Sequence, residues 1–146
     1  MYTGLLHAHS GFRWLVLIVL VVAIVLSVYG WTKRAEWTKS GKTTSLILMI
    51  LMDIQFLIGL VLYVFLSPMT KAAFNDFGAA MKNATLRFYV VEHILMMVIA
   101  LALVHIGRSR TKKDIVGWKK HRAAVIFYTI SLLVILMAIP WDRPLF

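Results

Sequence analysis

The chain has 146 residues, 61% of them hydrophobic, with a mean hydropathy of +0.83. Soluble domains carry only roughly 45–50% apolar residues, so a soluble globular fold is excluded and a single integral membrane domain over 1–146 is expected. The absence of cysteine rules out disulfides, thiolate metal sites and thioether-linked haem. The net charge of +10 sits in short gaps between apolar runs. It therefore reports topology rather than a nucleic-acid partner.

The first run, 14–31, is uncharged, and the stretch GLLHAHSGFRW before it carries His7, His9 and Arg13. Two starts for this helix fit the pattern, Gly4 and Trp14. It lacks positive charge before Arg13 and a small-residue cleavage site after it, unlike a signal peptide. The second run, 43–67, contains Asp53 and Gln55; the third, 88–107, contains Glu92, His93 and His105; the fourth, 123–141, is uncharged. Each is near the roughly 20 residues that a helix needs to cross hydrocarbon. The expected fold is all-α, a four-helix transmembrane bundle with spans at about 4–31, 43–67, 86–107 and 122–141.

Between the second and third spans, Ala73, Phe74, Phe77, Ala80, Met81 and Ala84 recur at helical spacing. That pattern predicts a short amphipathic helix in the outer loop, either an interfacial connector or a lid. Lys and Arg concentrate in the gaps 32–42 and 108–122, with Lys71, Lys82 and Arg143 elsewhere. The positive-inside rule puts both basic gaps in the cytoplasm and both termini outside.

Ionisable groups inside a span mark functional candidates. His7, His9, Arg13, Gln55, Arg87, Glu92 and His93 then share the outer side of the membrane, with Asp53 at their inner edge. The first and third spans should be diagonal and parallel in the bundle. Histidines facing one another across that diagonal could hold a planar ligand, and haem b is the leading candidate. His93 and His9 would be the axial ligands to the haem iron. Arg13 or Arg87 would pair with the propionates. His7 and His9 point in nearly opposite directions, so at most one joins His93. His105 and His121 could form a second site at the cytoplasmic end. The bland alternatives stay open: Arg13 snorkels to headgroups, Glu92 neutralises an arginine, and Asp53 with Gln55 makes an interhelical hydrogen bond.

The strings LLHAHSGFRWLVL, IQFLIGLVLY, AAMKNATLRFYVVEHILMM, IGRSR and IPW resemble a family of short bacterial four-helix membrane proteins labelled cytochrome b-like. The resemblance runs nearly the whole length. That family often has His where this chain has Asp53, two before Gln55. The resemblance implies a membrane cytochrome or redox-associated subunit in the bacterial inner membrane. Its partners would be lipids, a quinone or the subunits of a respiratory or other membrane complex. A homo-oligomer is compatible with it, and the lack of a visible nucleophile–base pair or soluble catalytic domain argues against an enzyme without deciding the question. Three other readings are weighed beside it. One is a non-haem accessory subunit whose polar cluster is a packing, metal or lipid site. Another is a proton conduit through Asp53, Glu92 and His93. The last is an outer metal site of His7, His9, Glu92 and His93.

Overall fold

The computed structural model describes residues 1–141; Arg143, which entered the charge count, lies outside the described residues. Long runs of Leu, Ile, Val, Met and Ala leave the backbone no solvent partner in lipid, so it satisfies its own hydrogen bonds as helices. Among the described residues, four helices are long and apolar enough to cross a membrane: Tyr2–Thr32, Lys39–Leu66, Ala84–Thr111 and Gly117–Ala138. This is the pattern of a multi-pass membrane protein.

Helix α1 is Tyr2–Thr32, so the first helix begins ahead of Gly4 and not at Trp14. It ends in a Schellman-type cap. Ala35 N–H bonds the Gly30 carbonyl at 2.8 Å, and Arg34 N–H bonds that of Trp31 at 3.2 Å. Arg34 takes the left-handed conformation this cap requires, with φ 50°. Helix α2 is Lys39–Val61 and runs into a single wide π turn, Leu62–Leu66.

The connection that follows holds three short helices: α3 (Pro68–Asn75), α4 (Phe77–Lys82) and α5 (Ala84–Arg87). Each has a side-chain N-cap. Ser67 Oγ accepts from Thr70 N–H, Asp76 Oδ1 from Ala79 N–H and Asn83 Oδ1 from Leu86 N–H. These caps satisfy donors that a helix start leaves unpaired. They also divide the segment, so the single helix expected here is broken at Asp76 and Asn83.

A second π turn, Phe88–Glu92, leads into α6, His93–Thr111. Helix α7 is Gly117–Ala138. Ile139 is extended (φ −73°, ψ 127°) because the residue before a proline, here Pro140, is pushed out of the helical region. Ile139–Trp141, counted in the fourth span, therefore lie beyond the helix.

The bundle is a ring of neighbours: α1 on α2, α2 on α6, α6 on α7 and α7 on α1. Helices α1 and α6 thus face each other across a diagonal, as expected from connection lengths. Leu20, Leu48, Val104 and Tyr128 are fully buried between them. Small residues let backbones close up, as in other membrane bundles. A Cβ on Gly107 would lie 2.8 Å from Tyr128 Cε1 and 2.9 Å from Phe127 Cβ. Ser131 Oγ donates to the Ala100 carbonyl at 3.0 Å, and Ser45 shares a hydrogen bond with Tyr128. Outside, Ile18, Leu57, Leu95 and Leu133 are each more than half exposed. Helices that are apolar all round belong in lipid.

Candidate functional site

The two loops 33–38 and 112–116 form the basic end of the bundle; α3–α5 cap the other. Just beneath α3 is a cavity of about 220 Å³, walled by α1, α2, α6 and the end of α7. Its polar lining includes His7, His9, Ser10, Arg13, Gln55, Tyr63, Tyr89 and His93 together with Tyr2, Ser67 and Thr70, and the rest is largely apolar. Among the described residues, no Asp or Glu lines it.

His93 and His9 meet across the α1–α6 diagonal, ring centroids 6.4 Å apart and planes at 71°. Each histidine has a hydrogen-bond partner on a neighbouring helix. The early stop of α7 at Ala138 leaves that carbonyl without an intrahelical donor. His93 Nδ1 takes it at 2.8 Å, donating because a carbonyl only accepts. Its Nε2 is then the lone-pair nitrogen, the arrangement that metal-bound imidazoles share. His9 is held by Gln55, whose amide donates to the His9 carbonyl at 3.0 Å and lies 3.5 Å from His9 Nε2. Gly59 makes room for the His9 ring: a Cβ there would lie 2.9 Å from His9 Cε1. His9 Nδ1 and Gln55 Oε1 are buried without a hydrogen-bond partner among the described residues. No family model, curated protein or solved structure matches this chain.

Of the residues singled out from sequence, His9, Arg13, Gln55 and His93 share the cavity, and exposed His7 stands at its mouth. Arg13 also lies over the Trp14 ring at 5.4 Å. Arg87 and Glu92 are not among the lining residues. They pair with each other, Arg87 Nε to Glu92 Oε1 at 2.8 Å, on a surface where both are nearly half exposed. The π turn explains this. Its hydrogen bonds join residues five apart, as His93 N–H does to the Phe88 carbonyl, so positions 87 and 92 come onto one face. The outer metal site of His7, His9, Glu92 and His93 is therefore not assembled. No group of three or more His, Cys, Asp or Glu is placed to hold a metal ion among the described residues.

At the other end, His105 and His121 do not converge. His105 Nε2 pairs with Asp53 Oδ1 at 2.8 Å on the outer face of α2 and α6. His121 Nε2 donates to the Glu36 carbonyl at 3.1 Å, and its ring packs on Trp37 with centroids 4.7 Å apart. Asp53 thus bonds His105 and not Gln55.

Sequence reasoning missed Tyr63, Tyr89, Gly59 and the Ala138 carbonyl. Tyr63 OH donates to the Val90 carbonyl at 2.8 Å, joining the two π turns above the cavity. Pro140 was the readable signal for the freed carbonyl, since a proline forces a helix to stop before it.

Proposed function

We propose that this chain is a membrane b-type haem protein, or a redox-associated subunit, with haem held between His9 and His93. One observation carries the reading: two imidazoles, each with a hydrogen-bond partner on a neighbouring helix, line one cavity with centroids 6.4 Å apart. A bare zinc ion would need three or four protein ligands. A haem would be held by as few as two histidines, and His9 and His93 are the two whose rings meet.

When bound, haem supplies one-electron chemistry. The chain's own residues do the rest. Ala138 and Gln55 orient the imidazoles, and Arg13 attracts the acidic side chains of the ligand. The apolar wall of Leu6, Phe56, Ile94, Met97 and Leu101 keeps water out. Thr70 and Ser67 line the cavity from the capping segment, so α3 acts as an amphipathic cover at the membrane surface. The positive-inside rule puts the basic end in the cytoplasm and the haem in the outer half of a bacterial inner membrane.

The second reading is a non-haem accessory subunit of a larger complex, with a lipid or quinone head group in the cavity. It is favoured by the size of that space, about 220 Å³, which is under the usual range of about 300–1,000 Å³. Haem binding would spread α1 from α6.

The test is an absorption spectrum of protein made with ample haem, oxidised and dithionite-reduced, beside His93→Ala and His9→Ala. A Soret band in the wild type that falls sharply in both variants supports the bis-histidine site. A colourless wild type overturns it in favour of the second reading.

A further inference from the structure

The Asp53–His105 pair lies outside the bundle. The two side chains are 39% and 43% exposed, on the surface shared by α2 and α6, and both belong to helices that cross the membrane. Asp53 is roughly 16 Å along the helix from Lys42, and His105 roughly 9 Å from Thr111, so neither reaches the ends of its helix. Ionisable residues in a span almost always face a protein interior or a water-filled cavity, because lipid offers them no partner. Arg108 lies one turn beyond His105 toward the basic end; the exposed residues nearest the pair are otherwise apolar or small. Leu46, Ile50 and Leu57 flank Asp53 on α2, and Val98, Ala102 and Ser109 flank His105 on α6, all exposed. The pair bonds itself with one oxygen and one nitrogen. A carboxylate can accept further bonds and an imidazole has a second nitrogen, so capacity is left over in a medium without water.

We propose that this face is the contact between two copies of the chain. The argument for a second copy is self-complementarity. Copies in one membrane share one orientation, so a two-fold axis between them runs along the membrane normal. The hydrogen bond between Asp53 and His105 fixes these groups at one depth on neighbouring helices. The two-fold then sets Asp53 against the partner's His105, and His105 against the partner's Asp53, with no vertical offset. Two ion pairs become one enclosed cluster of four. The pair lies on the outer surface of α2 and α6, whereas Met52, Gln55 and Leu101 turn from the same helices into the cavity, so the contact needs no ligand there.

The chain has no cysteine, which makes cross-linking clean. Ala102→Cys lies on the proposed contact. Ile126→Cys is the control, exposed on α7 at a similar depth and away from α2. In native membranes treated with a short bismaleimide, Ala102→Cys should give a dimer band that Ile126→Cys lacks. Association of fluorescently labelled protein in vesicles should weaken about eightfold in the double variant Asp53→Leu/His105→Leu, as expected for losing two membrane hydrogen bonds. Equal cross-linking at 102 and 126, or unchanged association of the double variant, overturns the proposal. The cross-linking comparison stands even where the double variant fails to fold.

Discussion

Gln55 is the side chain that fixes His9, through a bond from its amide to the His9 carbonyl. Residues that orient a metal ligand typically cost about 10–100-fold in affinity when removed. Gln55→Leu should therefore weaken haem binding about 10–100-fold while leaving the bundle folded. A haem titration of the purified variant, followed at the Soret band, checks this, and unchanged affinity would separate Gln55 from the site. Gln55, His9, Arg13 and His93 were all legible as polar groups placed inside apolar runs, where their presence needs a reason. Arg87 and Glu92 were not, although the same rule selected them. Depth along a helix can be counted from sequence, but azimuth depends on an unbroken 3.6-residue turn. The π turn at Phe88–Glu92 breaks that count immediately before His93.

At the scale of elements, the fit of α6 on α7 depends on Gly107. A valine there would push branches into Tyr128 and Phe127, whose nearest atoms lie at 2.8 and 2.9 Å from the built Cβ. Overpacking of this kind costs about 1–3 kcal/mol. Gly107→Val should lower stability by about that much in detergent unfolding. Gly11 is the contrast, since nothing lies within 4 Å of a Cβ built on it. Gly11→Ala should raise stability by up to about 1 kcal/mol through helix propensity alone. A similar loss in both variants would show that close approach at Gly107 does not limit stability. The four long helices were legible because length and apolarity fix a span whatever its neighbours do. The capping segment was less so. Hydrophobic spacing over 73–84 suggested one helix, whereas Ser67, Asp76 and Asn83 begin three. Those cap residues were the overlooked signal.

For the whole molecule, the strongest organising asymmetry is charge. The basic end carries Arg34, Lys119 and Arg122 grouped over the Trp118 ring at 5.5, 5.7 and 5.5 Å. The capped end has few such residues, and that bias is the basis for the proposed orientation with α3–α5 outside. In intact cells, a membrane-impermeant maleimide should label Lys82→Cys in the capping segment and spare Lys113→Cys in a basic loop. The reverse pattern would invert the topology and move the cavity to the cytoplasmic side. The bundle as a whole was readable from hydropathy, but its lateral surface was not. Hydropathy does not say which side of a span its rare charges face, so Asp53 was considered with Gln55 and His105 with His121, and not with each other.

Their pairing has a consequence for biogenesis. Asp53 and His105 are 52 positions apart, so α2 is delivered to the membrane before α6 has been synthesised. During that interval its carboxylate has no imidazole. A central acidic residue costs about 2.5–3.5 kcal/mol on the insertion scale, which the leucines, isoleucines and methionines around it offset. Helix α2 is thus held in the bilayer on a reduced margin until α6 arrives. The later helix completes the earlier one by supplying the imidazole that pairs with its carboxylate.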